Sequence, residues 1–445
     1  MRSRPECGWL PDRRPCEAVR RQAGGRAVSA AEAALDGPPQ ASQTGLDPLR
    51  SEAREVSGPI VLLLAGLAAI GTLATNIILP AFPRMSAELG LTGTQLGLLL
   101  SSFFLTFALG QLIVGPLSDR FGRRTLVLGG LAIFLAGSMI AAHADNLLWL
   151  VLGRVVQAMG ACASSVLARA IARDLFQGET LGRVLSLTMI AGAVAPGFSP
   201  LLGSVLVDLS GWRASFLFVA LCAAALALLY MRRVGETHPV DARSTLALGS
   251  VTATYRSLLV DGRFLLPALS VSMVLGGLFS FFAAAPGILM GQLGLTPLQM
   301  GLSFAATVLI VFAAGLLAPW LARRHGDRTT GFAGLIVFAA GALAMIAVAS
   351  QPSYLTFTAA LSIVLFGMGL INPLGTAIAL QPFGRQAGSA SALLGFLQMG
   401  SAAIGSTLAS TMPFSPSVSL AIVMMATSVG AFAVFYPVYR DRPRR

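Results

Sequence analysis

The chain reads as an all-α membrane protein of twelve transmembrane helices, arranged as two six-helix halves. Three observations predict this. Composition is the first: of 445 residues, 55% are hydrophobic and only 11% charged, with a mean hydropathy of +0.76, values foreign to a soluble domain. The spacing of apolar runs is the second. Twelve of them, about 59–80, 94–116, 125–143, 147–171, 181–207, 214–231, 264–285, 298–321, 330–350, 353–378, 388–411 and 417–439, are long enough to cross a bilayer as helices. Charge is the third. All 31 basic residues are arginine, and with both termini inside, about nineteen of those after Gly58 fall in cytoplasmic connections or the C-terminal tail, against Arg84 and Arg213 outside. The net charge of +12 is therefore a topology signal rather than a nucleic-acid footprint.

Residues 1–57 carry nine arginines against eight acids, with no sustained apolar period and no signal-peptide core. They read as a disordered cytoplasmic tail, although an over-long gene start would read the same way. Residues 58–231 form the N-terminal half, 232–263 a polar cytoplasmic linker with five arginines, 264–439 the C-terminal half and 440–445 a short cytoplasmic tail. The halves resemble each other. Leu89-Gly-Leu-Thr-Gly-Thr-Gln-Leu-Gly-Leu98 recurs as Leu293-Gly-Leu-Thr-Pro-Leu-Gln-Met-Gly-Leu302, an offset of 204 that also carries Gly122, Arg124 and Thr125 onto Gly326, Arg328 and Thr329. In each copy Thr92 or Thr296 can N-cap the coming helix, with Gln95 or Gln299 closing a capping box and Pro297 suited to a first helical position. Two parallel halves of this kind place a substrate site between them near the bilayer midplane. Cys7, Cys16, Cys162 and Cys222 have no metal-ligand spacing, and no disulfide, metal or cofactor is expected.

Between the second and third apolar runs lies Gly115-Pro116-Leu117-Ser118-Asp119-Arg120-Phe121-Gly122-Arg123-Arg124. It is expected to be a tight cytoplasmic connection, its glycines allowing a sharp turn and close helix approach and Asp119 pairing with arginines or capping a helix end. The run resembles the loop between helices 2 and 3 of the major facilitator superfamily, with every position of that motif filled. The resemblance implies a gating role for Gly115, Asp119, Arg120, Gly122, Arg123 and Arg124. It also leads us to expect Asp119 to meet Arg169 or Arg173 at the end of the fourth helix.

Inside the predicted spans, a charge at the bilayer centre costs at least about 2.5–3.5 kcal/mol. Only Arg154 is deeply placed, about seven residues into the fourth span and roughly 10 Å from its external end. The stretch from Gly153 to Gly160 is similar to the superfamily's helix-4 motif, in which the arginine faces the central cavity and is linked to proton coupling. An arginine snorkelling to the outer interface is the other reading, which this depth only partly permits. Gln157 shares its helical face and could contact substrate or orient the guanidinium. In the fifth span Pro196, Gly197, Pro200 and Gly203 approximate the antiporter helix-5 motif, although the order departs from Gly-Pro followed by paired glycines, and plain helix packing also accounts for them. Gly211-Trp212-Arg213 matches the family pattern and is expected to anchor the outer interface.

Further segments resemble the bicyclomycin and chloramphenicol exporters: Asn76 with Leu79-Pro80-Ala81-Phe82-Pro83, Gly110-Gln111, Arg169 with Arg173-Asp174-Leu175-Phe176, Ala285-Pro286 and Ala387-Gly388-Ser389-Ala390-Ser391-Ala392. The resemblance covers about residues 60–435. It implies a monomeric drug:H+ antiporter, multi-pass in the bacterial inner membrane, that exports small amphiphilic drugs with protons as coupling ion. A metabolite exporter or an uptake carrier on the same fold is the alternative. One departure matters, because at Asn76 these relatives usually carry an aspartate. No Asp, Glu or His lies well inside a predicted span, and an arginine stays protonated. Coupling then falls to a peripheral carboxylate, Asp119 or Asp174, or is altered or lost. The expected substrate cavity combines Asn76, Gln111, Arg154, Gln157 and Gln398 with Phe107, Phe281 and Phe282, mostly apolar walls suited to a neutral or anionic amphiphile. An enzyme would need clustered acids, histidines or a nucleophile and base at one face, whereas His143, His238 and His325 are scattered in loops. A channel would need rings of pore-lining groups.

Overall fold

The computed structural model describes residues 58–238 and 248–440. The expected N-terminal tail, the middle of the linker and the last five residues lie outside them. The described chain is helical throughout its ordered elements: α1 Gly58–Asn76, α2 Phe82–Leu89, α3 Gly93–Phe121, α4 Arg123–Ala142, α5 Leu147–Leu175, α6 Gly178–Ser210, α7 Arg213–Arg233, α8 Leu248–Val260, α9 Gly262–Ala285, α10 Pro297–His325, α11 Asp327–Val348, α12 Tyr354–Leu380, α13 Ala387–Thr411 and α14 Pro416–Arg440. Among the described residues, 12 segments are long and apolar enough to cross a membrane, α1 and α2 together making the first of them and α8 lying outside all of them. Large apolar side chains such as Leu209, Leu221 and Leu316 stay exposed, as a surface that meets lipid requires.

Local sequence explains the helix starts. Thr92 accepts from the Gln95 amide at 3.3 Å while Gln95 Oε1 accepts from the Thr92 amide at 2.8 Å, and Thr296 with Gln299 repeats the box at 3.3 and 2.9 Å. The helices they open, α3 and α10, are each 29 residues long and end at glycines of matching geometry, Gly122 (φ 89°, ψ 158°) and Gly326 (φ 88°, ψ 151°). The 204-residue offset is thus a structural repeat. The equivalent i, i+4 charges are reversed, Asp119 and Arg123 in the first copy standing where Arg323 and Asp327 stand in the second.

Helix contacts fall into two sets, α1 to α7 and α9 to α14, joined chiefly by α3 against α13 and by α6 against α10. Within each set, small residues let backbones touch. A Cβ on Gly137 would overlap the Gln157 backbone of α5, and one on Gly341, 204 positions on, the Val364 backbone of α12.

Two local expectations are corrected. The run Gly115–Arg124 is not a loop: α3 continues through Phe121, Gly122 alone makes the turn, and α4 begins at Arg123. Pro116 does not end the helix, because the carbonyl it leaves without a backbone donor, that of Leu112, receives the Tyr255 hydroxyl of α8 at 3.1 Å. Trp212 is not an interface anchor either. It is buried, with its indole Nε1 donating to Glu88 at 2.7 Å, and the Arg213 guanidinium, 4.2 Å from its ring centre, pairs with the same Glu88 at 3.1 Å. Arg84 pairs with Asp208 at 3.3 Å, so both arginines expected outside have an acidic partner.

Candidate functional site

A cleft between the two sets of helices opens at the face that carries the Gly122 and Gly326 turns. Its outer part, about 530 Å³, is lined by Gly115, Asp119, Arg123, Arg173, Asp174, Tyr255 and Ser389, among others. The inner part, about 430 Å³, is walled by Phe103, Phe104, Phe107, Phe279 and Met399 with Asn372 and Gln398. Gln111, Arg169 and Ser391 line both, so the two are continuous. Asn372 Oδ1 is buried without a hydrogen-bond partner among the described residues. At the opposite end the sets touch each other beside a separate recess of about 600 Å³. Thr94 Oγ1 donates to the Ser410 carbonyl at 2.8 Å, and a Cβ on Gly97 would overlap the Ser410 side chain. Likewise Gly301 lies against the Leu201 backbone and Gly197 against Val308, which puts the helix-5 motif at the closed contact between α6 and α10. Gly203 meets the Ile77 carbonyl just beyond α1, while Pro196 and Pro200 are carried inside an unbroken α6.

Of the expected cavity residues, Phe107, Gln111 and Gln398 line the cleft. Asn76, Gln157, Phe281 and Phe282 do not. Asn76 is buried at the end of α1, its Nδ2 donating to the Thr72 carbonyl at 2.8 Å and to Thr75 Oγ1 at 3.2 Å, with Oδ1 unpartnered. Phe281 stacks on Phe304 at 5.2 Å and Phe282 packs 5.7 Å from the same ring, inside the C-terminal set. The cavity position on α9 belongs to Phe279, whose ring meets Phe104 at 4.6 Å across the cleft. Phe281, two residues on, is rotated by about 200° to the other side of the helix.

Arg154 also points away from the cleft and is fully buried. Its Nε donates to the Leu99 carbonyl at 3.2 Å, and Nη1 to the Ala74 carbonyl at 3.1 Å and to Gln157 Oε1 at 2.5 Å. Gln157 Nε2 continues to Ser138 Oγ at 2.8 Å, so the Arg154–Gln157 pair ties α1, α3, α4 and α5 together. No carboxylate compensates this charge among the described residues. Compensation comes from the last turn of α1, where carbonyls lack intrahelical donors and the helix dipole is negative, and from the Phe103 face 4.2 Å from the guanidinium. Nη2 has no hydrogen-bond partner among the described residues.

At the mouth, Asp119 pairs with Arg123 at 2.7 Å and Asp174 with the same arginine at 3.2 Å. The expected partners Arg169 and Arg173 are not used, because Arg123, four residues along and just past the turn, reaches Asp119 first. Ser118 Oγ also accepts from Arg123. Arg120 is exposed, 5.2 Å from the Phe121 ring centre. A Cβ on Gly115 would meet nothing, so this glycine faces open space instead of a packed helix. Sequence reasoning missed Glu236. Its carboxylate accepts from the backbone amides of Arg123 at 2.8 Å and Arg124 at 3.4 Å, capping α4 from the segment after α7. It also missed the cavity positions of Arg169 and Asn372; the Arg169 signal was present in its spacing four residues before Arg173, one helical turn deeper.

The sequence profile of the Major Facilitator Superfamily matches residues 64–406. The chain belongs to this superfamily. It is a multi-pass membrane transporter, and its relatives include multidrug resistance protein D of Escherichia coli (strain K12), 31% identical over 82% of this chain and 92% of that protein. A chloramphenicol resistance protein of Pseudomonas aeruginosa is 31% identical over 79% of this chain and 84% of its own length. Among solved structures, a D-xylose-proton symporter superposes with a TM-score of 0.65 at 15% identity, covering 84% of this chain and 96% of that one, a likeness of fold alone. The superfamily motif between helices 2 and 3 is therefore, in this member, a helix end, a single glycine and an Arg123-centred ion cluster.

Proposed function

We propose that this transporter exports small amphiphilic drugs of the chloramphenicol and bicyclomycin type from the bacterial cytoplasm, as a monomer in the inner membrane, by proton antiport. The open face is then cytoplasmic and both termini lie inside. The observation that carries the reading is the cleft, apolar and aromatic within, polar at its mouth, reached from one face and shut by glycine contacts at the other, which is one end state of alternating access. The names of the relatives support drugs as cargo. With an amide at position 76, coupling is assigned to Asp119 and Asp174, which share Arg123 and face the cleft. A proton taken by either would loosen its hold on that arginine. Arg154 orients helices around the site instead of binding cargo.

The test is drug accumulation in an efflux-deficient host, with and without an uncoupler. Expression is expected to lower accumulation of a neutral amphenicol, the uncoupler to restore it, and Asp119→Asn or Asp174→Asn to remove the uncoupler-sensitive part. Unchanged accumulation across a drug panel rejects the export reading. Uncoupler-sensitive export that survives both substitutions rejects the coupling assignment.

A further inference from the structure

Among the described residues, Arg169 is the one charged residue on the inner part of the cleft. It stands at the throat, lining the outer part as well, and its side chain is exposed to the cavity. Among the described residues no hydrogen bond or ion pair engages its guanidinium. The two acids at the mouth are already held by Arg123, at 2.7 Å for Asp119 and 3.2 Å for Asp174, and no carboxylate among the described residues lines the inner part. Arg173, one turn nearer the mouth, donates its Nε to the Arg169 carbonyl at 3.3 Å and adds a second positive charge on the way in.

We propose that Arg169 binds the acidic group of the cargo, so that the transporter favours small amphiphiles bearing one carboxylate or similar oxyanion over their neutral and cationic counterparts. The proposal rests on the drug-export reading of the cleft. A guanidinium presents a planar fork of donors that matches a carboxylate in two parallel hydrogen bonds. Aromatic walls lower the local dielectric and strengthen that pairing beyond its value in water. Bound this way, the cargo's acid lies beside Gln111 and Ser391 at the throat, and its apolar end reaches the Phe104, Phe107 and Phe279 wall. A cation entering the same space meets Arg173 and then Arg169 with no free carboxylate to receive it. The same field steers anions inward.

The test uses three matched probes, 1-naphthaleneacetate, its neutral amide 1-naphthaleneacetamide, and the cation 2-(1-naphthyl)ethylamine, titrated calorimetrically into the purified full chain in detergent. The wild type is expected to bind the acid about tenfold more tightly than the amide, the scale of one charge-assisted hydrogen bond, and the amine most weakly. Arg169→Gln should abolish the difference between acid and amide, Arg169→Lys should keep part of it, and Arg169→Glu should reverse the order in favour of the amine. Equal affinity of the wild type for acid and amide overturns the assignment, needs no variant, and leaves the export reading standing. An acid preference that survives Arg169→Gln also overturns it. Failure of all three probes to bind overturns this proposal and the binding role of the cleft together.

Discussion

Arg154 shows how a membrane protein holds a charge with no counter-ion among the described residues. Three acceptors on three groups, the Leu99 and Ala74 carbonyls and Gln157 Oε1, divide two of its guanidinium nitrogens, and Phe103 covers the plane. Removing it strands those acceptors, each at about 1–3 kcal/mol when buried and unpaired. We therefore expect Arg154→Ala to lower the thermal unfolding midpoint in detergent by a large step, and Arg154→Lys to recover only a fraction, since a point charge cannot reach all three acceptors or stack on the ring. A wild-type midpoint in Arg154→Lys would show that charge alone suffices. The depth of Arg154 was legible in the sequence; its direction was not. In these helices both the lipid face and the packed face are apolar, so the pattern carries no phase that says which side looks into a cavity. The same lack of phase misplaced Asn76, Gln157, Phe281 and Phe282, and hid Phe279.

Elements are secured partly by neighbours in sequence and partly by distant ones, and only the first kind can be read in advance. The capping boxes at Thr92 and Thr296 span three residues and were plain. Glu236 caps α4 from 113 positions away, and Tyr255 fills the gap left by Pro116 at the Leu112 carbonyl, 143 positions away. Both partners come from the polar stretch between the sixth and seventh spans, so that stretch does more than join halves: it finishes the helix turn that carries Asp119 and Arg123. Burial also raises the Tyr255 phenol above its ordinary range, which keeps it a hydroxyl donor at any physiological pH. Losing the Glu236 cap should cost about 1 kcal/mol. In Glu236→Ala, hydrogen exchange at the Arg123 and Arg124 amides is accordingly expected to speed up by about fivefold. Exchange that does not change would mean that water or a neighbouring group caps α4 equally well.

At the scale of the whole molecule, the two ends of α3 face opposite situations. Gly97 is pressed against Ser410 of α13 where the cleft is shut, while Gly115 borders open space where it is wide. Alternating access exchanges these situations, so side chains added at the two glycines should act with opposite sign. Valine at Gly97 has no room in the present arrangement and should push α3 and α13 apart at the closed end. Valine at Gly115 fits now and obstructs closure of the mouth, holding the present state. A bias of about 1.4 kcal/mol in either direction is a tenfold change in the ratio of states. Spin-label distances between α3 and α13, taken at each end in a background lacking the native cysteines, read that ratio directly. The expected outcome is a population shift toward the opposite opening for Gly97→Val, a shift away from it for Gly115→Val, and slower transport in both, because either bias starves the cycle of one state. Shifts of the same sign would show that the glycines set local packing instead of the balance between openings.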